Sequence, residues 1–152
     1  VHHSDLDLDV SSGLRFHPVE ILASMLYKIG IIFLLGPAPV AVLVFEAVLN
    51  GMALFSHSNI ALPVKADHFF RKLIVTPDMH RIHHSVEVSE TNSNYGFNLS
   101  IWDRIFGTYK EEALKSQPEI VIGIDTFRSP NELTFYNLLI MPKKYGKLTY
   151  VT

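Results

Sequence analysis

Two long apolar runs dominate the pattern of hydrophobic and polar positions: residues 19–36, VEILASMLYKIGIIFLLG, and residues 38–55, APVAVLVFEAVLNGMALF. As helices, each would be roughly 27 Å long at about 1.5 Å per residue, close to the roughly 30 Å hydrocarbon core of a bilayer. Between them Gly36-Pro37-Ala38-Pro39 supplies the breakers that end one helix and begin the next. Pro18, just ahead of the first run, suits a first helical turn because it lacks the N–H that would be unpaired there. The pattern predicts an antiparallel hairpin of membrane-spanning helices. Buried or interfacial helices of a soluble protein, with Lys28 reaching out to water, are the competing reading.

Downstream the pattern is weaker. In residues 92–109, Phe97, Ile101 and Ile105, with Trp102, recur at near-helical spacing while Asp103 and Arg104 fall on a polar face, which predicts an amphipathic helix against the membrane or the rest of the domain. Residues 111–117 read as a polar link and residues 119–125, EIVIGID, as a short extended segment. The tail, with Leu138-Leu139-Ile140-Met141, is too short to span a bilayer, carries no chemical motif, and is placed over the site or on the membrane. The fold class expected is all-α: an integral membrane helical hairpin, a histidine-rich helical metal domain on its cytoplasmic side, and a short irregular C-terminal tail. The domain proper covers residues 1–110, and residues 111–152 are its tail.

Composition strengthens the membrane reading: 48% of residues are hydrophobic, 18% are charged, and the mean hydropathy is +0.21. A net charge of −2 and a pI near 6.5 argue against a broad nucleic-acid-binding surface. No cysteine is present, which removes disulfides, thiolate metal sites and cysteine nucleophiles together, so any metal must be held by nitrogen or oxygen. Lys28 and Glu46 interrupt the apolar runs, and a charge near the bilayer centre costs about 2.5–3.5 kcal/mol on insertion scales. Lys28 lies nine residues before Pro37 and Glu46 nine after it, so a hairpin sets them at similar depth, where they can neutralise each other. The connecting turn is uncharged, whereas Arg15, Lys65, Arg71, Lys72 and Arg81 flank the outer helix ends, which places those ends in the cytoplasm.

The histidines lie on that same side. In TPDMHRIHHS, residues 76–85, His80, His83 and His84 stand at i, i+3 and i+4, so a helix would present all three on one face. Neutral imidazole is a ligand for iron, zinc, copper or nickel, and spacing alone does not separate them. Val1-His2-His3-Ser4 repeats the aliphatic-His-His-Ser of Ile82-His83-His84-Ser85. His57, at the end of the second run, is a further candidate ligand, and His17, entering the first run, could bind metal, orient a ligand or contact substrate. His68 has no spaced partner and is read as outside the site. Asp5, Asp7, Asp9 and Asp78 are candidate acceptors that would fix imidazole tautomers, solvated loop charges being the competing reading. Asn94 and Asn98 are candidates for the same supporting role. Six or seven histidines on one side exceed the three protein ligands of a catalytic zinc, which favours two metals.

VHHSDLDLDVSSGLRFHPVE, FSHSN, TPDMHRIHHS and NSNYGFNLSIWDRIFGTY, in this order, closely resemble the fatty acid hydroxylase/sterol desaturase superfamily of integral membrane enzymes. The resemblance implies a non-haem centre of two Fe ions, held mainly by histidines at the cytoplasmic membrane face. With O₂ as co-substrate, it would hydroxylate or desaturate a membrane lipid such as a sterol or fatty acyl chain in lipid biosynthesis. His2 and His3 match the end of the family's H-x-x-H-H box, His57 its isolated histidine, and His80, His83 and His84 its last box. The family's first histidine box and the leading histidine of its second are absent, so the chain reads as N-terminally truncated, and on its own it is expected to hold an incomplete site.

An unactivated C–H bond offers side chains no acid, base or nucleophile to work on, so an oxygen-activating metal carries the chemistry. Electrons must come from outside, because no G-x-G-x-x-G is present; an external donor, a reductase with a ferredoxin or a cytochrome b5-like protein, is implied. Two other readings stay open: a zinc-dependent membrane hydrolase, for which the expected H-E-x-x-H is missing, and an inactive metal-binding fragment.

Overall fold

Two prolines set where the long helices begin. In the computed structural model, which describes residues 1–148, α1 (Pro18–Leu35) and α2 (Pro39–Ser56) match the two apolar runs to within one residue. His17 caps α1, its Nδ1 accepting the Val19 N–H at 3.2 Å. Gly36 closes the helix at φ 58°, a left-handed conformation that suits glycine, with its N–H on the Ile32 carbonyl at 2.9 Å.

Both helices face outward. No residue of α1 is buried, and in α2 only Ala53 and Ser56 are. A core helix of a soluble protein would hide one apolar stripe; these expose apolar side chains all round, as a helix surrounded by lipid does. At 18 residues each and mean hydropathies of 1.8 and 1.7, both are long and apolar enough to cross a membrane.

Lys28 and Glu46 meet across the hairpin, Nζ to Oε1 at 2.7 Å, and Asn50 Nδ2 reaches Glu46 Oε2 at 3.4 Å. Removing one partner strands the other at this depth. Lys28→Ala or Glu46→Ala should therefore each lower thermal stability in nanodiscs by about 2–3 kcal/mol, and the double variant should lose less than their sum. Strictly additive losses would show that the pair does not interact.

The remaining helices are short and gather at the outer ends of the hairpin: α3 (Val64–Phe70), α4 (Pro77–His83), α5 (Val88–Thr91) and α6 (Ile101–Phe106). Thr76 caps α4, Oγ1 accepting the Met79 N–H at 3.4 Å, and Pro77 takes the first helical position. The buried apolar residues are few: Leu8, Ile82, Ile120 and Ile122 form one cluster, and Val75 and Met79 are fully enclosed. Buried polar groups supply the rest of the framework. Arg71 pairs with Asp67 and donates to the Glu111 carbonyl at 2.8 Å, tying α3 to the segment after α6.

Residues 92–109 differ from the single amphipathic helix predicted. Only α6 is helical, because buried Asp103 accepts the N–H groups of Tyr95 at 2.7 Å and Gly96 at 2.8 Å, wrapping the preceding chain around its carboxylate. Asn94 at φ 50° makes the turn. Of the two placements expected for its apolar face, α6 takes the outward one: Trp102, Ile105 and Phe106 are exposed, while Asp103, expected on the polar face, is buried. Such an outward apolar side suits the membrane interface.

Residues 119–125 are extended only in part: Glu119 closes a 3-10 turn, Ile120 to Ile122 run extended with a bridge between Ser85 and Ile122, and Gly123, at φ 113°, turns the chain with its N–H on the His84 carbonyl at 3.0 Å. The tail is more regular than predicted. It contains α7 (Phe135–Leu148), 14 residues with Pro142 inside. Pro142 masked the helical spacing of Leu138, Leu139 and Met141 in the sequence.

Candidate metal centre

Three separate pieces of chain bring histidines together. α4 carries His80 and His83 and is capped by His84; His57 caps the C-terminal end of α2; a 3-10 turn at His2–Ser4 delivers His2 and His3. The ligand nitrogens of His2, His57, His80 and His84 all lie within 4.8 Å of one another. Their Nε2 atoms form a chain of close approaches: His2 to His57 at 3.1 Å, His57 to His80 at 3.0 Å, and His80 to His84 at 3.2 Å.

These distances fit a shared cation. Two nitrogens each about 2.1 Å from one ion, at angles of about 90–110°, sit roughly 3.0–3.4 Å apart. Hydrogen bonding explains the spacing less well. His57 Nδ1 is 2.7 Å from the Ala53 carbonyl and must carry the ring proton, leaving Nε2 as a lone pair facing two other nitrogens. A cation among the four Nε2 atoms satisfies them together.

His3 and His83 flank this group. The His3 ring stacks on His84 with centroids 4.4 Å apart and meets His83 edge-on at 4.5 Å. His83 Nδ1 donates to the Ser93 carbonyl at 2.8 Å, which again leaves Nε2 free for a metal. The two aliphatic-His-His-Ser segments thus face each other ring to ring.

Every one of the six rings is held neutral. Burial is the largest cause throughout, reinforced for most by neighbouring imidazoles: His2 is lowered to about 4 and His3 to about 3, His57 and His83 are lowered, and His80 and His84 lie well below the ordinary range. Neutral imidazole is the ligating form. Among the described residues, the Nδ1 atoms of His2, His3, His80 and His84 are buried without a hydrogen-bond partner, so no carboxylate there fixes those rings.

The other expected residues lie elsewhere. His17 stands apart from the cluster with both nitrogens engaged, Nδ1 capping α1 and Nε2 donating to the Leu139 carbonyl at 2.9 Å. Asp5 binds Ser12 Oγ at 2.6 Å and Arg15 at 2.7 Å, pinning the N-terminal turn to the next one. Asp7 and Asp9 are exposed, and Asp9 caps the 3-10 turn at Val10–Leu14. Asp78 accepts Gln117 through its carbonyl, and its carboxyl is pushed up by burial and by Asp67. Asn94 bonds the Met79 carbonyl at 3.1 Å and both the N–H and carbonyl of Lys110 at 2.9 Å, so it braces α4 and places the neighbouring Ser93 carbonyl on His83. Asn98 Oδ1 has no hydrogen-bond partner among the described residues. His68 is exposed, as expected.

Four contributors carry no sequence signal of their own. The Ala53 and Ser93 carbonyls are backbone atoms. Phe16 stacks on His2 with centroids 4.6 Å apart and planes within 9°. Gly13 lets its turn press against α2, where a Cβ would meet His57 Nδ1 at 3.2 Å and the Ala53 carbonyl at 3.3 Å, squeezing the bond that sets the His57 tautomer.

A sequence model described as fatty acid hydroxylase matches residues 1–108. The ornithine lipid hydroxylase OlsE of Rhizobium tropici is 36% identical over 128 residues, covering 80% of this chain and 36% of the relative. The alkylglycerol monooxygenase of Homo sapiens is 29% identical over 138 residues, covering 90% of this chain and 29% of the relative. The chain therefore spans about a third of the length of these curated relatives. No solved structure matches it.

Proposed function

The chain belongs to the fatty acid hydroxylase family, and from that premise we propose that the protein oxidises a membrane lipid with O₂ at a centre of two histidine-held iron ions. The observation that carries the proposal is the convergence of the His2, His57, His80 and His84 nitrogens within 4.8 Å at the end of an apolar hairpin. The relatives are named for hydroxylation of an ornithine lipid and monooxygenation of an alkylglycerol, which supports a lipid substrate.

His2, His57, His80 and His84 would hold one ion, with His3 and His83 contributing to a second. When bound, the metal supplies the oxygen activation that no side chain can. The chain's own residues do the positioning. The Ala53 and Ser93 carbonyls keep the protons of His57 and His83 on Nδ1, and burial keeps all six rings uncharged. On this reading the centre lies at the membrane edge, at the ends of α1 and α2; the distribution of basic residues supports the cytoplasmic side, where an external reductase with a ferredoxin or cytochrome b5-like donor would reach it.

A zinc hydrolase reading is the weaker one, because among the described residues the cluster holds only imidazoles and no carboxylate to act as general base. Metal analysis of the full-length protein in nanodiscs, with mass spectrometry of lipids incubated with O₂ and a reductant, tests the proposal. About two irons per chain and a lipid gaining one oxygen or losing two hydrogens are expected. One zinc with lipid hydrolysis would overturn it.

A further inference from the structure

Two apolar clefts run along the inner side of α7 and share Val1 as a wall. The larger, about 420 Å³, is lined by Val1, His3, Ile124, Met141 and Pro142 and reaches the flank of the histidine cluster. The smaller, about 170 Å³, is lined by Val1, Phe16, Pro18, Leu138 and Leu139. Pro18 is the first residue of α1, so the smaller cleft lies where that helix leaves the hydrocarbon.

We infer that these clefts form one trough that takes a single hydrocarbon chain of a membrane lipid sideways from the bilayer edge at Pro18 to His3, with α7 as its roof. This inference rests on the lipid-oxidising reading and names the substrate-binding surface for it. Three observations carry it. The trough is continuous with the cluster through His3, a candidate ligand. Its walls are mostly aliphatic or aromatic, with Ser4, Arg15 and His17 as polar exceptions besides His3, and no carboxylate lines either cleft. α7 is held over it near its middle, by the His17 hydrogen bond to the Leu139 carbonyl and by Met141, which is 3% exposed. His17 therefore acts as a latch between the spanning helix and the roof. Phe135 and Tyr136, 78% and 70% exposed, extend the roof toward the membrane interface.

Another apolar cleft, about 350 Å³ between α1 and α2, is a poorer candidate for the reacting chain. It is lined by Tyr27, Ile31 and Phe45 and also by the Lys28–Glu46 pair. Lys28 lies ten residues beyond Pro18, roughly 15 Å along the helix, away from the histidines.

The test uses the full-length, metal-loaded protein in nanodiscs with phosphatidylcholine bearing a photoreactive diazirine in one acyl chain. Leu138 is half-buried, so its replacement leaves the fold intact more readily than replacement of Met141. Cross-links are expected within residues 135–142 and near Val1, to fall at least fivefold in Leu138→Trp, and to persist in Leu138→Ala, with metal content per chain unchanged in both. Cross-links confined to the α1–α2 cleft, or unaffected by Leu138→Trp, would overturn the inference. Labelling needs no turnover, so a protein that binds the chain in the trough but oxidises nothing would sink the proposed function and leave the trough standing.

Discussion

Full-length protein carrying His84→Ala is expected to lose its metal and its lipid oxidation together. His84 is the hub of the cluster: it is fully buried, its Nε2 lies 3.2 Å from that of His80, and its ring centroid is 4.4 Å from His3, 4.8 Å from His2 and 5.1 Å from His57. The Gly123 N–H on its carbonyl and the neighbouring Ser85–Ile122 bridge hold its backbone in place. Residues that merely orient a ligand cost about 10- to 100-fold in metal affinity when removed. Loss of a central ligand should exceed the upper end of that range, leaving metal unbound at concentrations that saturate the parent. His68→Ala, at an exposed histidine whose Nδ1 donates to the Val64 carbonyl, should change neither. Parent-like iron content and affinity in His84→Ala would remove His84 from the ligand set.

What the sequence made legible was what periodicity and residue type encode. The hairpin followed from run length and the prolines, and it appears within a residue. The Lys28–Glu46 pair followed from counting out from the turn. Of the histidines, spacing collected His80, His83 and His84 on one short helix, and the repeated His-His pair flagged His2 and His3 as their counterparts. What spacing could not show is that the counterparts would face each other through stacked rings, because that depends on the Asp5–Arg15 pair and on Gly13 folding the first residues against α2.

Two features that local pattern did not show share one cause. Residues 92–109 have helical apolar spacing, yet a buried carboxylate at Asp103 competes for backbone N–H groups and wins. His17 was open to binding metal, orienting a ligand or contacting substrate, and its two nitrogens meet a helix N-terminus and a carbonyl of α7, 122 positions away in sequence. Local pattern reports local structure; a partner supplied by a distant loop or carbonyl leaves no periodic trace.

Acidification should unfold the metal-free cluster as a block. An unfolded chain binds protons at histidine near pH 6.5, whereas in the fold His2 resists protonation to about pH 4 and His3 to about pH 3, with His57, His80, His83 and His84 lowered as well. The unfolded state therefore binds more protons throughout that window, and stability, complete above about pH 6.5, falls as pH falls. Each histidine kept neutral contributes a slope of about 1.4 kcal/mol per pH unit. Six acting together would consume a typical domain stability of about 5–15 kcal/mol within roughly one to two pH units. Circular dichroism of chelator-treated protein in nanodiscs, titrated downward from pH 8, should show the short helices melting cooperatively near pH 5 while the hairpin signal persists. Histidine NMR signals should shift in the same step. Bound iron or zinc should move the midpoint to lower pH, since metal competes with protons for the same Nε2 lone pairs. Six independent titrations near pH 6.5 with no loss of helix would mean that the rings are solvated and the cluster does not form.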